Sequence, residues 1–133
     1  MNTNNKLLLA ATLVTVMNFQ SCSKYDDNPA FSLRTKKSRL VGEWEVVRID
    51  DQTSSQYFTF EFESDGDFEM GYSYSNGSYS YSYSQAGEWE WEDGKETIEI
   101  EMNSYIMDYE IKKLTNNELK LVIDNQEIEL EKN

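Results

Sequence analysis

Residues 57–92 read YFTFEFESDGDFEMGYSYSNGSYSYSYSQAGEWEWE, and large apolar side chains recur at every second position. Period two is the mark of a strand, whose successive side chains point to opposite faces. Phe58, Phe60 and Phe62 share one face, with Thr59, Glu61 and Glu63 on the other. The pattern resumes with Phe68, Met70, Tyr72 and Tyr74 against Glu69, Ser73 and Ser75. It resumes again with Tyr79, Tyr81 and Tyr83, and continues through Ala86-Gly87 to Trp89 and Trp91 against Glu88, Glu90 and Glu92. One face is apolar and one hydrated, as in antiparallel strands that cover a core.

The same alternation extends to the C-terminus. It predicts eight strands, at about 42–50, 57–63, 67–75, 78–92, 95–102, 105–113, 118–123 and 126–131. Turn residues separate them: Ser64-Asp65-Gly66, Asn76-Gly77, Asp93-Gly94, Asn103-Ser104, Asn116-Asn117 and Asp124-Asn125. Two-residue turns imply definite partners. Asn76-Gly77 would place Tyr74 opposite Tyr79, Tyr72 opposite Tyr81 and Met70 opposite Tyr83. Asp93-Gly94 would place Trp89 opposite Ile98, and Glu88 opposite Glu99. Asn103-Ser104 sets Ile100 against Met107 and Ile98 against Tyr109, and Asp124-Asn125 sets Leu121 against Ile128 and Leu119 against Leu130. Around Gly66 a three-residue loop is required, because only that brings Phe62 to Phe68 and Phe60 to Met70. The link from 113 to 119 needs an odd loop or a bulge.

Short links and local pairing describe an all-β, up-and-down antiparallel meander. Eight strands is a size at which a sheet closes into a small barrel and loses its exposed edges. The fourth strand is long, and Ala86-Gly87 would let it bend, its first half pairing with the third strand and its second with the fifth. Trp44, Phe58, Phe60, Phe62, Phe68, Ile98, Ile100, Tyr109, Ile111, Leu119, Leu121, Ile128 and Leu130 are the expected core. The alternating glutamates (61 and 63; 88, 90 and 92; 99 and 101; 127, 129 and 131) fall on the outer wall, where hydration rather than acid–base chemistry is expected. Ser64-Asp65-Gly66-Asp67 lacks the spaced ligands of a calcium loop and reads as a hairpin turn.

The chain has 133 residues, 12 Lys and Arg against 25 Asp and Glu, one cysteine and no histidine. A net charge of −13 repels phosphates and anionic headgroups, so no nucleic-acid partner is expected. A single cysteine excludes an internal disulfide, and the absence of histidine removes the commonest general base and the usual triads. Neither catalysis nor a cofactor is expected.

At the N-terminus, LLLAATLVTVM (residues 7–17) follows Lys6. It is too short to span a bilayer, which needs about 20 apolar residues, and has the length of the apolar region of a secretory signal. It leads into Phe19-Gln20-Ser21-Cys22. This junction resembles a bacterial lipoprotein signal, in which the cysteine is cleaved free and acylated. The resemblance implies a signal peptide over residues 1–21 and a lipid anchor, palmitate among its chains, on Cys22. Lys6 is the only charge that cleavage removes, leaving 11 cations against 25 acids, or −14. Residues 22–38 read as a flexible tether and 39–133 as the domain. Asp26 and Asp27, close after the cysteine, resemble the surface-export signal of some Gram-negative lipoproteins. They imply outer-membrane placement with exposure at the cell surface.

Leu40-Val41-Gly42-Glu43-Trp44 carries a Gly-x-Trp at the start of the first strand. With Phe60 to Gly66, Gly87-Glu88-Trp89 and Leu114-Thr115-Asn116-Asn117-Glu118-Leu119, it resembles the lipocalin-like domains of small bacterial lipoproteins, over nearly all of residues 39–133. The resemblance implies a barrel and binding of a small apolar ligand. True lipocalins often pack a late basic residue on that tryptophan; here only Lys132 is available, with no clear match to the pattern.

One feature points to a site. In GYSYSNGSYSYSYSQ (residues 71–85), Tyr72, Tyr74, Tyr79, Tyr81 and Tyr83 share a face. Tyrosine interleaved with serine offers large, stiff contact area with polar tips, a composition favoured at binding surfaces. With Trp89 nearby, this ladder is the candidate site for an apolar ligand or a glycan. The simpler expectation is that the tyrosines form interior wall, with only Tyr74 and Tyr79 near the rim. A binding barrel should be hollow. The alternative, an interaction module of the envelope with a filled barrel, should instead expose apolar side chains or an unpaired strand edge.

Overall fold

The computed structural model describes residues 34–133. The signal peptide expected over residues 1–21, and Cys22, therefore lie outside the described residues. The chain begins with a short helix, α1 (Lys36–Leu40), whose start is capped by Thr35: its Oγ1 accepts from the Ser38 amide at 3.1 Å. Residues 36–38, read above as the end of the tether, thus belong to the domain. Behind the cap, Arg39 and Leu40 are buried, and Arg39 Nη1 donates to the Leu114 carbonyl at 3.2 Å.

Nine strands follow: β1 (Gly42–Ile49), β2 (Gln52–Thr53), β3 (Tyr57–Phe62), β4 (Asp67–Ser75), β5 (Ser80–Glu92), β6 (Thr97–Met102), β7 (Tyr105–Leu114), β8 (Glu118–Ile123) and β9 (Gln126–Lys132). All neighbours are antiparallel, and β9 pairs back onto β1, Val46 opposite Leu130, which closes the ring. β2 is a two-residue addition beside the end of β1, so the barrel has the eight expected staves. The helix, the β3–β4, β5–β6 and β7–β8 turns and the C-terminus share one end, here called lower. The β4–β5, β6–β7 and β8–β9 turns lie at the upper end.

The registers expected around Gly66, Asn103-Ser104 and Asp124-Asn125 are all found. Gly66 takes φ +105°, and the last two turns hold both central residues at positive φ, the geometry that matches strand twist. The 113–119 link contains a two-residue turn at Asn116-Asn117, and the irregularity is a bulge between Ile111 and Lys113.

Two registers differ from expectation. Tyr74 faces Tyr81 and Tyr72 faces Tyr83, because the turn is Gly77-Ser78, closed by Asn76 N–H to Tyr79 C=O at 3.0 Å. Gly77, at φ +85°, takes the first central position, where a type II′ turn wants glycine. Similarly Trp89 faces Ile100 and Trp91 faces Ile98, with Glu88 opposite Glu101 and Glu90 opposite Glu99. There Asp93, Gly94 and Lys95 are all left-handed and make a four-residue loop. Each offset is two residues, so every side chain keeps its face.

The core holds every residue expected there, Phe58 being only partly buried, and adds Leu40, Val46, Trp89, Met102 and Leu114. Phe60, Phe62 and Phe68 meet edge-on or tilted at 5.2–6.4 Å, arrangements aromatic rings prefer. Gly87 has a stricter reason than flexibility. A Cβ there would fall on the Glu101 carbonyl oxygen and the Met102 side chain, so β5 can pass close over β6 only with glycine.

Candidate functional site

The tyrosine ladder does not line the interior. The β4–β5 hairpin outruns its neighbours: β3 reaches only to Tyr57, opposite Ser73, and β5 first meets β6 at Glu88. Residues 74–81 therefore form a two-stranded ribbon at the upper end, and over 82–87 β5 keeps β4 on one side with an open edge on the other. Tyr72 alone matches the interior-wall expectation, half-buried against Phe58 with ring centroids 5.0 Å apart. Tyr74, Tyr79, Tyr81 and Tyr83 are 40, 60, 47 and 47% exposed. Tyr72 and Tyr81 contact diagonally at 6.3 Å, and the Tyr83 hydroxyl bonds Gln85 Oε1 at 3.3 Å. On the next hairpin, Tyr105 and Ile106 are also exposed. They escaped the sequence reading because a residue beside a two-residue turn has no facing layer, whatever its parity.

Trp89 stands apart from this surface. It is 6% exposed, meets Phe62 at 5.7 Å and Trp91 at 5.4 Å edge-on, and donates from Nε1 to the Glu63 carbonyl at 2.9 Å. Its amide also donates to the Gly66 carbonyl at 2.8 Å, which fixes it beside the β3–β4 turn in the lower core.

The barrel interior is packed. Trp44, Phe62, Ile98, Ile100, Ile111 and Leu121 are among ten fully buried large side chains, and Leu40 of α1 plugs the lower end. Tyr109 sits among them, and burial holds its phenol above the ordinary range. Three recesses of about 410, 330 and 320 Å³ lie on the outer wall instead. The first is ringed by Lys112, Lys113, Lys120, Glu118, Glu127 and Glu129; Lys120 bridges Glu127 and Glu129 at 2.9 Å each and holds the Glu129 carboxyl below its ordinary range. The second is acidic, lined by Asp65, Asp67, Glu88, Glu90, Glu99 and Glu101. The third is uncharged, with Thr59, Ser73, Ser82 and Ser84 around Gly71. Glu63, Asp65 and Asp67 converge at the β3–β4 turn, where Asp65, first among its acid neighbours, raises the Glu63 carboxyl. The segment is the hairpin turn expected from its sequence: the Asp65 carboxylate accepts from the Asp67 amide at 3.3 Å.

With the closed barrel, its Gly-x-Trp start and its helix-plugged end described, comparison with known proteins decides the family. The model of the lipocalin-like domain matches residues 40–121, more than half of the chain. The chain belongs to the lipocalin-like domain family. Solved structures agree with the lipocalin-like fold. A lipocalin-like protein from Bacteroides uniformis is similar at a TM-score of 0.61 and 12% identity, over 71% of this chain and 99% of that one. An uncharacterized protein from Bacteroides eggerthii is similar at 0.57 and 13%, over 71% and 99%. A second Bacteroides uniformis protein, solved by NMR, is similar at 0.55 and 22%, over 72% and 90%. No curated protein matches. At such identities the likeness speaks to the lipocalin-like fold alone.

Proposed function

We propose that this lipocalin-like protein is a lipid-anchored interaction module of the cell envelope, held at Cys22 in the outer membrane, and that it binds through the tyrosine ribbon rather than inside the barrel. One observation carries this reading: the large rings that a hollow barrel would turn inward are exposed on the ribbon, above an interior filled by fully buried side chains. An apolar ligand would have to displace Trp44, Phe62 or Ile98. Exposed aromatics beside a free strand edge are what a docking surface requires. The polarity of the barrel supports the same reading. The chain enters at the lower end through Arg34 and α1, and the ribbon stands at the opposite end, away from an anchor that precedes it. No catalytic role is proposed.

The test is site-specific photo-crosslinking in cells that make the full chain. A photoreactive residue replaces Tyr81 or Tyr83 on the ribbon, or Glu90 or Glu127 on the outer wall. Adducts should form at the ribbon positions and be scarce at the wall positions, with adduct mass separating protein from glycan. Equal yields at both would defeat the proposal. So would saturable uptake of an apolar fluorophore that Ile98→Trp blocks, since that would restore an internal ligand.

A further inference from the structure

The free edge of β5 is chemically unusual for this protein. From Ser80 to Ala86 the strand pairs with β4 on one side, and its pairing with β6 on the other side starts only at Glu88. The hydrogen-bond phase says which groups stand free. Asn76 donates to the Tyr79 carbonyl and Trp89 donates to the Gly66 carbonyl, at 3.0 and 2.8 Å, so the odd-numbered residues of β5 face β4. Antiparallel ladders alternate, which turns the backbone groups of Ser80, Ser82, Ser84 and Ala86 outward at the open edge. Edge strands commonly carry a lysine, a proline or a bulge that discourages pairing. This one carries none of these over residues 80–86.

Charge then narrows the occupant. The chain carries −13, yet residues 71–87 contain no charged side chain, the longest such stretch in the barrel. Two copies of so acidic a protein repel each other over most of their surfaces, and least across this edge. The sequence is also self-complementary there. A two-fold axis normal to a sheet preserves its faces, so copies paired antiparallel through β5 bring tyrosine beside tyrosine and serine beside serine.

We propose that a second copy of this chain docks on the β5 edge, joining the two β4–β5 hairpins into one continuous sheet across a two-fold dimer. This rests on the ribbon being the contact surface and names its partner. The antiparallel arrangement puts the two α1 ends at opposite poles of the dimer. Facing copies, anchored on separate surfaces, would therefore meet ribbon to ribbon.

Sedimentation velocity of the purified full chain, over rising protein concentration at low and high salt, tests the proposal. The apparent mass should rise from one chain to two, more readily at high salt, which screens the repulsion. Ser82→Pro removes an outward N–H and leaves the β4 ladder alone; Ser82→Asp keeps the N–H but sets like charges face to face. Both should return the mass to one chain, with far-ultraviolet circular dichroism unchanged in the aspartate variant, which keeps the test valid if the proline variant does not fold. A single chain at all concentrations, or a dimer that survives Ser82→Asp, overturns the proposal. Monomeric protein whose Tyr81 position still cross-links to other envelope molecules would overturn this inference and leave the ribbon as a docking surface.

Discussion

The ammonium of Lys132 lies 4.8 Å from the centre of the Trp44 ring, and donates to the carbonyls of Arg39 and Val41 at 2.8 and 2.7 Å. The last residue of the last strand thereby fastens the helix that plugs the barrel. Trp44 completes the clasp by donating from Nε1 to the Leu40 carbonyl at 2.7 Å. Lys132→Met keeps the stem and removes the charge. Two partly buried carbonyls then lose their donor, at a cost of about 1–3 kcal/mol. A urea midpoint unchanged from the parent would mean that the clasp contributes nothing to stability.

Gly87→Ala tests the close crossing of β5 over β6. The added methyl meets a backbone oxygen that cannot rotate away. Overpacking of this kind costs typically about 1–3 kcal/mol, and thermal unfolding should shift down accordingly. Gly77→Ala, at a turn where a Cβ meets nothing, is the comparison, since its penalty comes from positive φ alone.

Glu88 stands opposite Asp67 on one side and Glu101 on the other. Like charges directly opposite are destabilising, and opposite-charge pairs contribute roughly 0.2–1 kcal/mol each. Glu88→Lys should therefore raise the denaturation midpoint by about 1 kcal/mol, an advantage that shrinks as salt is added. A lysine that destabilised at low salt would show that the acidic wall is held by something other than solvent.

The raised phenol pKa of Tyr109 makes an alkaline prediction. Burial favours the neutral ring, so the folded state holds its proton to higher pH than the unfolded chain does. Its contribution is fully present below the ordinary tyrosine value near pH 10 and is lost as pH rises from there through the raised value of the folded state. Tyr109→Phe cannot ionise and should lose less stability between neutral and alkaline pH than the parent. Parallel pH–stability curves for the two proteins would contradict the assignment.

Cys22→Ser removes the proposed acylation site. Each buried acyl methylene contributes about 0.8 kcal/mol to membrane binding, and two or more chains make the anchor stable. The variant should leave the membrane fraction on cell fractionation. Retention there would remove the lipid anchor from the proposed function.

Most of the barrel was legible because parity survives errors of turn placement. Moving the turn from Asn76-Gly77 to Gly77-Ser78 changed every partner and no face, so Tyr72 and Phe68 remained inward. The expected end of β6 at about residue 102 was found, and it already left the upper half of β5 without that neighbour; what was missed was the consequence, that Tyr81 and Tyr83 are exposed rather than wall. Trp89 was assigned to the ladder by adjacency, but the length of β5 carries it to the other end of the barrel, where its amide donates to the Gly66 carbonyl. Lys132 was named as the available partner of Trp44 but without a clear match to the pattern, because the contact joins residues 88 positions apart, a distance no local pattern spans.

The seam between β1 and β9 has a bearing on how the molecule comes into being. Each hairpin from β3 to β9 can form as soon as its own residues are available, but the ring has no closing partner until the seven residues of β9 arrive. Until β9 is in place, the β1 and β8 edges that it bridges stay open. Closure waits on that strand, so a chain lacking it should give an unsealed, protease-sensitive product and not a slightly weaker one.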